Sequence, residues 1–177
     1  AYVQRVVLTG TSALITFDNI PQDGDAIVVT AYARGDHASV LRDINIEFND
    51  DTTSSNYDRQ HLFGTATTVT GNQNGASREV GRVPSASSGT DVFGGMMLII
   101  TDYAKTDRQA HYVSISGEPE TGHAEFLSGR WENTDAITKL ELSPSSDNFI
   151  ANSIFELAVV KNLGFQNTTI KTRTRQT

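Results

Sequence analysis

The sequence predicts an all-β protein: a two-sheet antiparallel sandwich, jelly-roll-like, with an extended C-terminal arm. Short apolar runs recur along the chain, and in residues 43–49 the residues Ile44, Ile46 and Phe48 alternate with polar ones, as in a half-buried strand. Gly, Pro, Asn and Asp separate these runs at short intervals, and no segment predicts a long helix. Many short strands with regular turn signals are typical of sandwiches and jelly rolls.

The first half of the chain is predicted as a series of strands joined by polar turns. Residues 3–8 and 13–17 are expected to form an opening hairpin, and the β-prone run 27–33 suits a central strand buried on both faces. Residues 57–63 are expected to pair back on the strand at 43–49. The stretch 65–76, rich in Thr, Asn and Gly, is predicted as an exposed, mobile excursion before a weaker strand at 77–83.

The second half begins with the most hydrophobic stretch, residues 92–103, where Gly94 and Gly95 suggest a bend. A single helical turn is expected at 104–109, followed by strands at 110–116 and 122–127. Strands at 137–142 and 154–160, joined by the Pro- and Ser-containing reversal at 143–148, are predicted to form a late hairpin. The whole chain gives roughly ten or eleven strands.

Charge is unevenly distributed along the chain. Its net charge is -7, which argues against a protein whose main partner is nucleic acid. All 21 acidic residues precede residue 161, so residues 165–177 carry +3 and the rest carries 11 - 21 = -10. No run of apolar residues is long enough to span a membrane. We therefore expect no membrane partner and no direct contact with nucleic acid.

The C-terminal segment, residues 164–177, is predicted to be distinct from the sandwich domain, residues 1–163. Two interpretations remain open: a frayed terminus, or an extended arm that adds a strand to a neighbouring subunit. In the second interpretation a set of apolar and basic residues forms the subunit or capsid interface: Phe165, Ile170, Lys171, Arg173 and Arg175.

Catalytic and metal-binding motifs are weak. The four histidines, His37, His61, His111 and His123, lie in different segments, and no two have the short spacing of a metal-binding motif. We expect most of them at the surface, and we expect no metal and no cofactor. Ser116 lacks the first glycine of a nucleophile elbow. The sequence predicts that the protein is not an enzyme.

The only tryptophan, Trp131, has two opposite interpretations. An aromatic face beside polar groups is suited to stacking on a sugar, with Asn133 and Tyr57 completing the site. Trp is more often buried, however, with its indole N–H bonded to a partner. The second interpretation is favoured.

Several motifs carry a resemblance to a known class of protein. They are Ile15-Thr16-Phe17-Asp18-Asn19-Ile20-Pro21 leading into residues 27–34, Ile46-Glu47-Phe48-Asn49-x-Asp51 with Asn56-Tyr57, Trp131-Glu132-Asn133-Thr134-x-Ala136-Ile137-Thr138, and Leu142-Ser143-Pro144 with Asn148-Phe149. Together they resemble a β-sandwich module common in virion proteins of tailed bacteriophages. The resemblance covers roughly residues 13–160, as a pattern of strands and turns.

This resemblance implies a virion structural protein. The module occurs in capsid decoration (cement) proteins and in tail or fibre proteins, and here it occupies nearly the whole chain. We therefore expect a decoration protein on the capsid exterior, assembled in the host cytoplasm, with the major capsid protein and a homotrimer of itself as partners. The alternative is a carbohydrate-binding module of a tail or fibre protein, which would use Trp131, Asn133 and Tyr57.

Overall fold

The computed structural model describes residues 2–118, 120 and 122–161, and these residues form twelve strands with one short 3-10 turn at Ser54–Asn56. None of their helices is long and apolar enough to cross a membrane. The strands are β1 (Tyr2–Val7), β2 (Ile15–Phe17), β3 (Ala26–Ala33), β4 (Leu41–Phe48), β5 (Tyr57–Thr65), β6 (Thr68–Asn74), β7 (Glu79–Pro84), β8 (Gly94–Thr101), β9 (Ala110–Glu118), β10 (His123–Trp131), β11 (Leu140–Pro144) and β12 (Ile154–Val160).

The strands form two antiparallel sheets of unequal width, which confirms the predicted sandwich. The larger has eight strands in the order β1-β12-β3-β8-β9-β10-β5-β6, and the smaller has four in the order β2-β11-β4-β7. Within these orders, β1-β12-β3-β8 and β2-β11-β4-β7 form two sets of four strands, and the chain crosses repeatedly between them. Eight strands arranged in this way form a jelly roll.

Two hairpins are inserted into this eight-stranded framework and widen only one sheet. The β5–β6 hairpin lies between β4 and β7 in the chain, and the β9–β10 hairpin lies between β8 and β11. All four strands extend the larger sheet beyond β8, with β10 pairing to both β9 and β5. The smaller sheet gains no strand. As a result, a four-stranded sheet packs against an eight-stranded sheet.

The core consists mainly of the side chains at every second position of the strands, because successive side chains of a strand point to opposite faces of its sheet. At its centre Phe48 contacts three aromatic side chains, with ring centroids 5.5 Å from Trp131 and 6.0 Å from both Tyr57 and Tyr112. The Tyr57 hydroxyl accepts a hydrogen bond from the Phe48 backbone N–H at 3.0 Å. Aromatic packing therefore joins β4 of the small sheet to the inserted strands of the large one.

The edge strand β7 approaches the large sheet unusually closely. A Cβ at Gly81 would lie 3.0 Å from Ser116 Cβ, so a larger residue would force Ser116 or the backbone to shift. Ser116 accepts a hydrogen bond from the Arg82 backbone N–H at 3.1 Å, and Ser114 donates one to the Val80 carbonyl. Small polar side chains thus connect the two sheets where the small sheet ends.

Several sequence predictions about pairing are wrong. The strands at both ends of the chain exist, but β1 pairs with β12 and β2 pairs with β11, so the opening hairpin does not form. The late hairpin does not form either, because β11 and β12 lie in different sheets. Likewise, β5 pairs with β10 and β6 and not with β4. Alternation identifies a strand but not its partner, and in a jelly roll consecutive strands often change sheet.

Four local predictions also need correction. Residues 65–76 are largely exposed, as predicted, but Thr68–Asn74 form the edge strand β6. Residues 104–109 contain turns and bends without a helix. Strand β3 is central, but Thr30 and Tyr32 on its outer face are exposed, because that face of the large sheet is not covered within the described part of the chain. Gly94 and Gly95 begin β8 and do not interrupt it.

Two glycines of the large sheet give a matched test of the packing. A Cβ at Gly129 would overlap the Tyr112 ring, whereas a Cβ at Gly95 would meet nothing within 4 Å. We expect Gly129→Ala to lower the free energy of unfolding by about 1–3 kcal/mol through overpacking. Gly95→Ala should be neutral or stabilising by up to about 1 kcal/mol, since it removes a flexible residue from a strand.

Urea unfolding followed by Trp131 fluorescence measures both variants. Equal transition midpoints for the two alanine variants would contradict the packing described around Tyr112.

Candidate functional site

The residues predicted to bind a sugar do not form an open platform. Trp131 is 1% exposed and Tyr57 is 0% exposed. Asn133 lies in the following turn, where its side chain accepts a hydrogen bond from the Asp135 backbone N–H at 3.0 Å. Both aromatic rings are packed against Phe48. Neither ring therefore has a free face on which a sugar could stack.

The indole of Trp131 instead holds the loop that follows β4. Its Nε1 donates to Asp51 Oδ2 at 2.8 Å, and the same oxygen accepts from Asn56 Nδ2 at 2.9 Å. Oδ1 accepts from the Thr53 backbone N–H at 3.0 Å. Burial works to raise the pKa of Asp51, but the donors from Trp131, Asn56 and Thr53 outweigh it, so the pKa lies below its usual 3.8. Residues that carried the resemblance thus meet here in a structural role.

The Asp51 contact predicts an acid-dependent loss of stability. Because its folded pKa is lowered, the ionised carboxylate stabilises the fold above about pH 3.8, and this stability is lost as the pH falls through the folded value. We expect Asp51→Asn to cost about 1–2 kcal/mol at pH 7, and the difference from the wild type to shrink between pH 4 and pH 2.

Urea titrations at each pH, read by Trp131 fluorescence, provide the measurement. Asp50→Asn is the matched control, since Asp50 is an exposed neighbour whose side chain pairs with Lys139. A constant difference between wild type and Asp51→Asn across this pH range would show that the carboxylate charge is not involved.

A second group of polar residues is buried between the sheets, close to β7. His61 Nδ1 lies 2.6 Å from Glu125 Oε1, and His123 Nε2 lies 3.5 Å from Glu125 Oε2. These side chains are only 1–2% exposed. One carboxylate on β10 therefore lies between two imidazoles, one from β5 and one from its own strand.

Ion pairs connect this group to the small sheet. Arg59 donates to Glu79 Oε2 at 2.6 Å, and both side chains are nearly fully buried. Arg82 Nε lies 3.3 Å from Glu79 Oε1 and 2.8 Å from Asp43 Oδ1. The free-energy cost of burying such charges is offset only by close ion-pair partners. Replacing either Arg59 or Glu79 with a neutral residue would therefore leave an unpaired buried charge.

Phe63 covers the same group. Its ring centroid is 4.9 Å from that of His61 and 6.0 Å from that of His123, and the Arg82 guanidinium lies 5.2 Å from its centre. We call His61, Glu79, His123 and Glu125, with Arg59 and Arg82, the buried polar cluster.

Burial shifts the acid–base properties of this cluster. It raises the pKa of Glu79 to about 7, with Asp43 adding to the rise and Arg59 opposing it. Burial also lowers the pKa of His61, against the opposing hydrogen bond to Glu125. For Glu125, burial works to raise the pKa, but His123, His61 and Arg82 outweigh it and the pKa is lowered. The favoured state thus has a neutral His61 beside an ionised Glu125.

The expectation that most histidines lie at the surface is wrong for His61 and His123, which are buried. The missed signal is alternation: Tyr57, Arg59, His61 and Phe63 occupy every second position of one strand and so share the inner face. The strand β10 repeats this pattern with His123, Glu125 and Leu127. Sequence spacing between the histidines could not reveal the site, because β5 and β10 are neighbours only in the folded sheet.

The outer face of the large sheet carries exposed apolar side chains in register. Across four adjacent strands the directly paired residues are Met97, Ile115, Phe126 and Leu62. Phe126 is 50% exposed and Leu62 is 53% exposed. With strands about 4.8 Å apart, this row is about 14 Å long. We call it the apolar band.

A row of small residues runs beside the apolar band. It consists of the directly paired Gly95, Gly117, Ala124 and Gly64. Tyr32 and Val69, both exposed, flank the two ends of this row. The absence of large side chains makes it a shallow groove, lined on one side by Ile115 and Phe126. Apolar ridges beside a groove are typical of surfaces that contact another protein.

The predicted interface residues Phe165, Ile170, Lys171, Arg173 and Arg175 lie outside the described residues. No protein-family model matches the chain, and no curated protein sequence matches it. The fold and surfaces of the described residues define a jelly-roll β-sandwich whose large sheet has a partly apolar outer face exposed among them.

Proposed function

We propose that the chain is a structural protein of a tailed-phage virion, a capsid decoration protein that attaches to the major capsid protein through the outer face of its large sheet. The observation that carries this proposal is the apolar band, which is accessible and lies beside a groove on the open side of the sandwich. The resemblance of residues 13–160 to phage virion modules supplies the context.

Attachment through such a face fits the energetics of decoration. Apolar side chains that are exposed in the free protein and covered in the complex favour association. A protein that binds only the assembled lattice stabilises that lattice by mass action. Many copies of a weak apolar contact, repeated over the shell, then stabilise the lattice together although each single contact is weak.

Homotrimer formation is part of the proposal. The strands β1 and β6 lie at the two edges of the large sheet, where strand addition is possible. Residues 165–177 carry a net charge of +3, whereas the other residues of the chain carry -10. Attraction between the basic segment of one copy and the acidic surface of the next favours assembly, and a three-fold arrangement suits the local three-fold sites of an icosahedral shell.

The apolar band can be tested on the capsid itself. We expect the chain to be present in virions of the phage whose genome encodes it. Electron microscopy with a specific antibody should label the capsid exterior of these virions. The double variant Leu62→Ser, Phe126→Ser should bind undecorated capsids at least about tenfold more weakly, because two apolar anchors are lost.

The control variant is Gln60→Ser, Ser128→Ala, which alters the next directly paired polar residues on the same two strands. It should bind like the wild type in cosedimentation. Equal binding by both double variants, or absence of the chain from virions, would overturn the proposal; localisation on the tail would support the tail-protein alternative.

The trimer can be tested by light scattering of the full chain. The chain mass is 19.2 kDa, so a trimer has three times that mass. We expect the variant Lys171→Ser, Arg173→Ser, Arg175→Ser to dissociate at protein concentrations where the wild type remains trimeric. High salt should weaken the wild-type trimer by screening the same attraction.

A wild-type monomer both in solution and on isolated capsids would refute the trimer. An unchanged oligomer in the triple variant would show that the basic residues do not contribute to it.

A further inference from the structure

The buried polar cluster contains a set of side chains suited to a metal ion, and this goes beyond the proposed function. We propose that one zinc ion binds between the two sheets, held by four buried side chains: His61, His123, Glu79 and Glu125.

The geometry brings the ligand atoms near a common point. His61, Glu79 and Glu125 each offer one ligand atom, and these atoms all lie within 4.8 Å of one another. Zinc bonds of about 2.0–2.2 Å in a tetrahedron place neighbouring ligand atoms about 3.3–3.6 Å apart. His123 Nε2 is already 3.5 Å from Glu125 Oε2. Completing a tetrahedral site therefore requires side-chain rotations that bring the first three ligand atoms closer together and turn His123 toward them.

The unpaired atoms of the cluster support the same conclusion independently. His61 Nε2 and His123 Nδ1 are buried and make no hydrogen bond to any described residue. Glu79 Oε1, Glu125 Oε2 and His123 Nε2 also lack a hydrogen bond and have only ion-pair contacts of 3.3–3.5 Å. Buried polar atoms are rarely left unpaired in native proteins. The carboxylate oxygens and one ring nitrogen of each neutral imidazole carry available lone pairs, so one cation can satisfy several of them together.

Arginine contacts leave the ligands free. Arg59 holds Glu79 through Oε2 at 2.6 Å, whereas Oε1 has only the longer contact with Arg82 Nε at 3.3 Å. Oε1 can therefore turn to a metal while the other oxygen stays fixed. Such outer hydrogen bonds orient ligand carboxylates in metal sites. Metal binding requires ionised carboxylates and neutral imidazoles. In that state the carboxylates of Glu79, Glu125 and Asp43 face two guanidiniums, which gives 2 - 3 = -1 before the ion is counted. A divalent ion changes this net charge to +1.

The donor set selects the type of metal. Two imidazole nitrogens and two carboxylate oxygens suit zinc and related first-row ions, whereas calcium and magnesium prefer oxygen ligands alone. The ligand side chains are almost fully buried, so the site is closed and structural. Because Glu79 lies on β7 and the other three ligands lie on β5 and β10, the ion would connect the two sheets.

Zinc binding can be measured on the full, tag-free chain after treatment with a chelator and dialysis. Calorimetric titration with zinc sulfate should give one ion per chain, and magnesium chloride should give no binding. At a free zinc concentration of 100 times Kd, the unfolding temperature should rise by about 5–10 °C. Cobalt(II) should give the visible absorption bands of a tetrahedral site.

The histidines provide matched variants. His61→Gln and His123→Gln should each lose zinc binding and the cobalt spectrum, while His37→Gln and His111→Gln should retain both, since those histidines lie outside the cluster. Circular dichroism in chelator verifies that each variant is folded; if His61→Gln unfolds, His123→Gln alone decides. Absence of zinc binding by the wild type, or unchanged binding in a folded His123→Gln, would overturn the proposal.

Discussion

The structure depends on a mismatch of width: a four-stranded sheet covers an eight-stranded one. In a jelly roll of eight strands, two sheets of four bury each other's inner faces. Here the β5–β6 and β9–β10 hairpins both join the large sheet, so its inner face extends past the last strand of the small sheet. The edge strand β7 is therefore the last strand of the small sheet, and it packs on an inner face of the large sheet that continues beyond it.

Two kinds of packing solve this problem on the inner face. Near β4, large aromatic rings fill the space between the sheets, with Phe48 at their centre. Near β7, the approach is close, and Gly81, Ser114 and Ser116 replace bulky side chains. The buried polar cluster lies beside this close contact, where charged side chains from both sheets meet. Burying these charges costs free energy, and the ion pairs between them offset part of that cost.

The same widening shapes the outer face. Three of the four strands that carry the apolar band, namely β9, β10 and β5, belong to the inserted hairpins. The insertions thus supply most of the buried polar cluster on one side of the sheet and most of the apolar band on the other. Since successive residues of a strand point to opposite faces, His61 and Leu62, or Glu125 and Phe126, serve different surfaces although they are adjacent in sequence.

The sequence by itself determined the local structure: most strands, the absence of long helices, the sandwich class and the burial of Trp131 with a hydrogen-bond partner. Period-two alternation and turn chemistry act over a few residues, so they can be recognised without the fold. Strand partners, the exchange of β11 and β12 between sheets, and the meeting of His61, His123, Glu79 and Glu125 were decided only by the tertiary structure. Their physical cause is long-range pairing, which the spacing of residues along the chain does not encode.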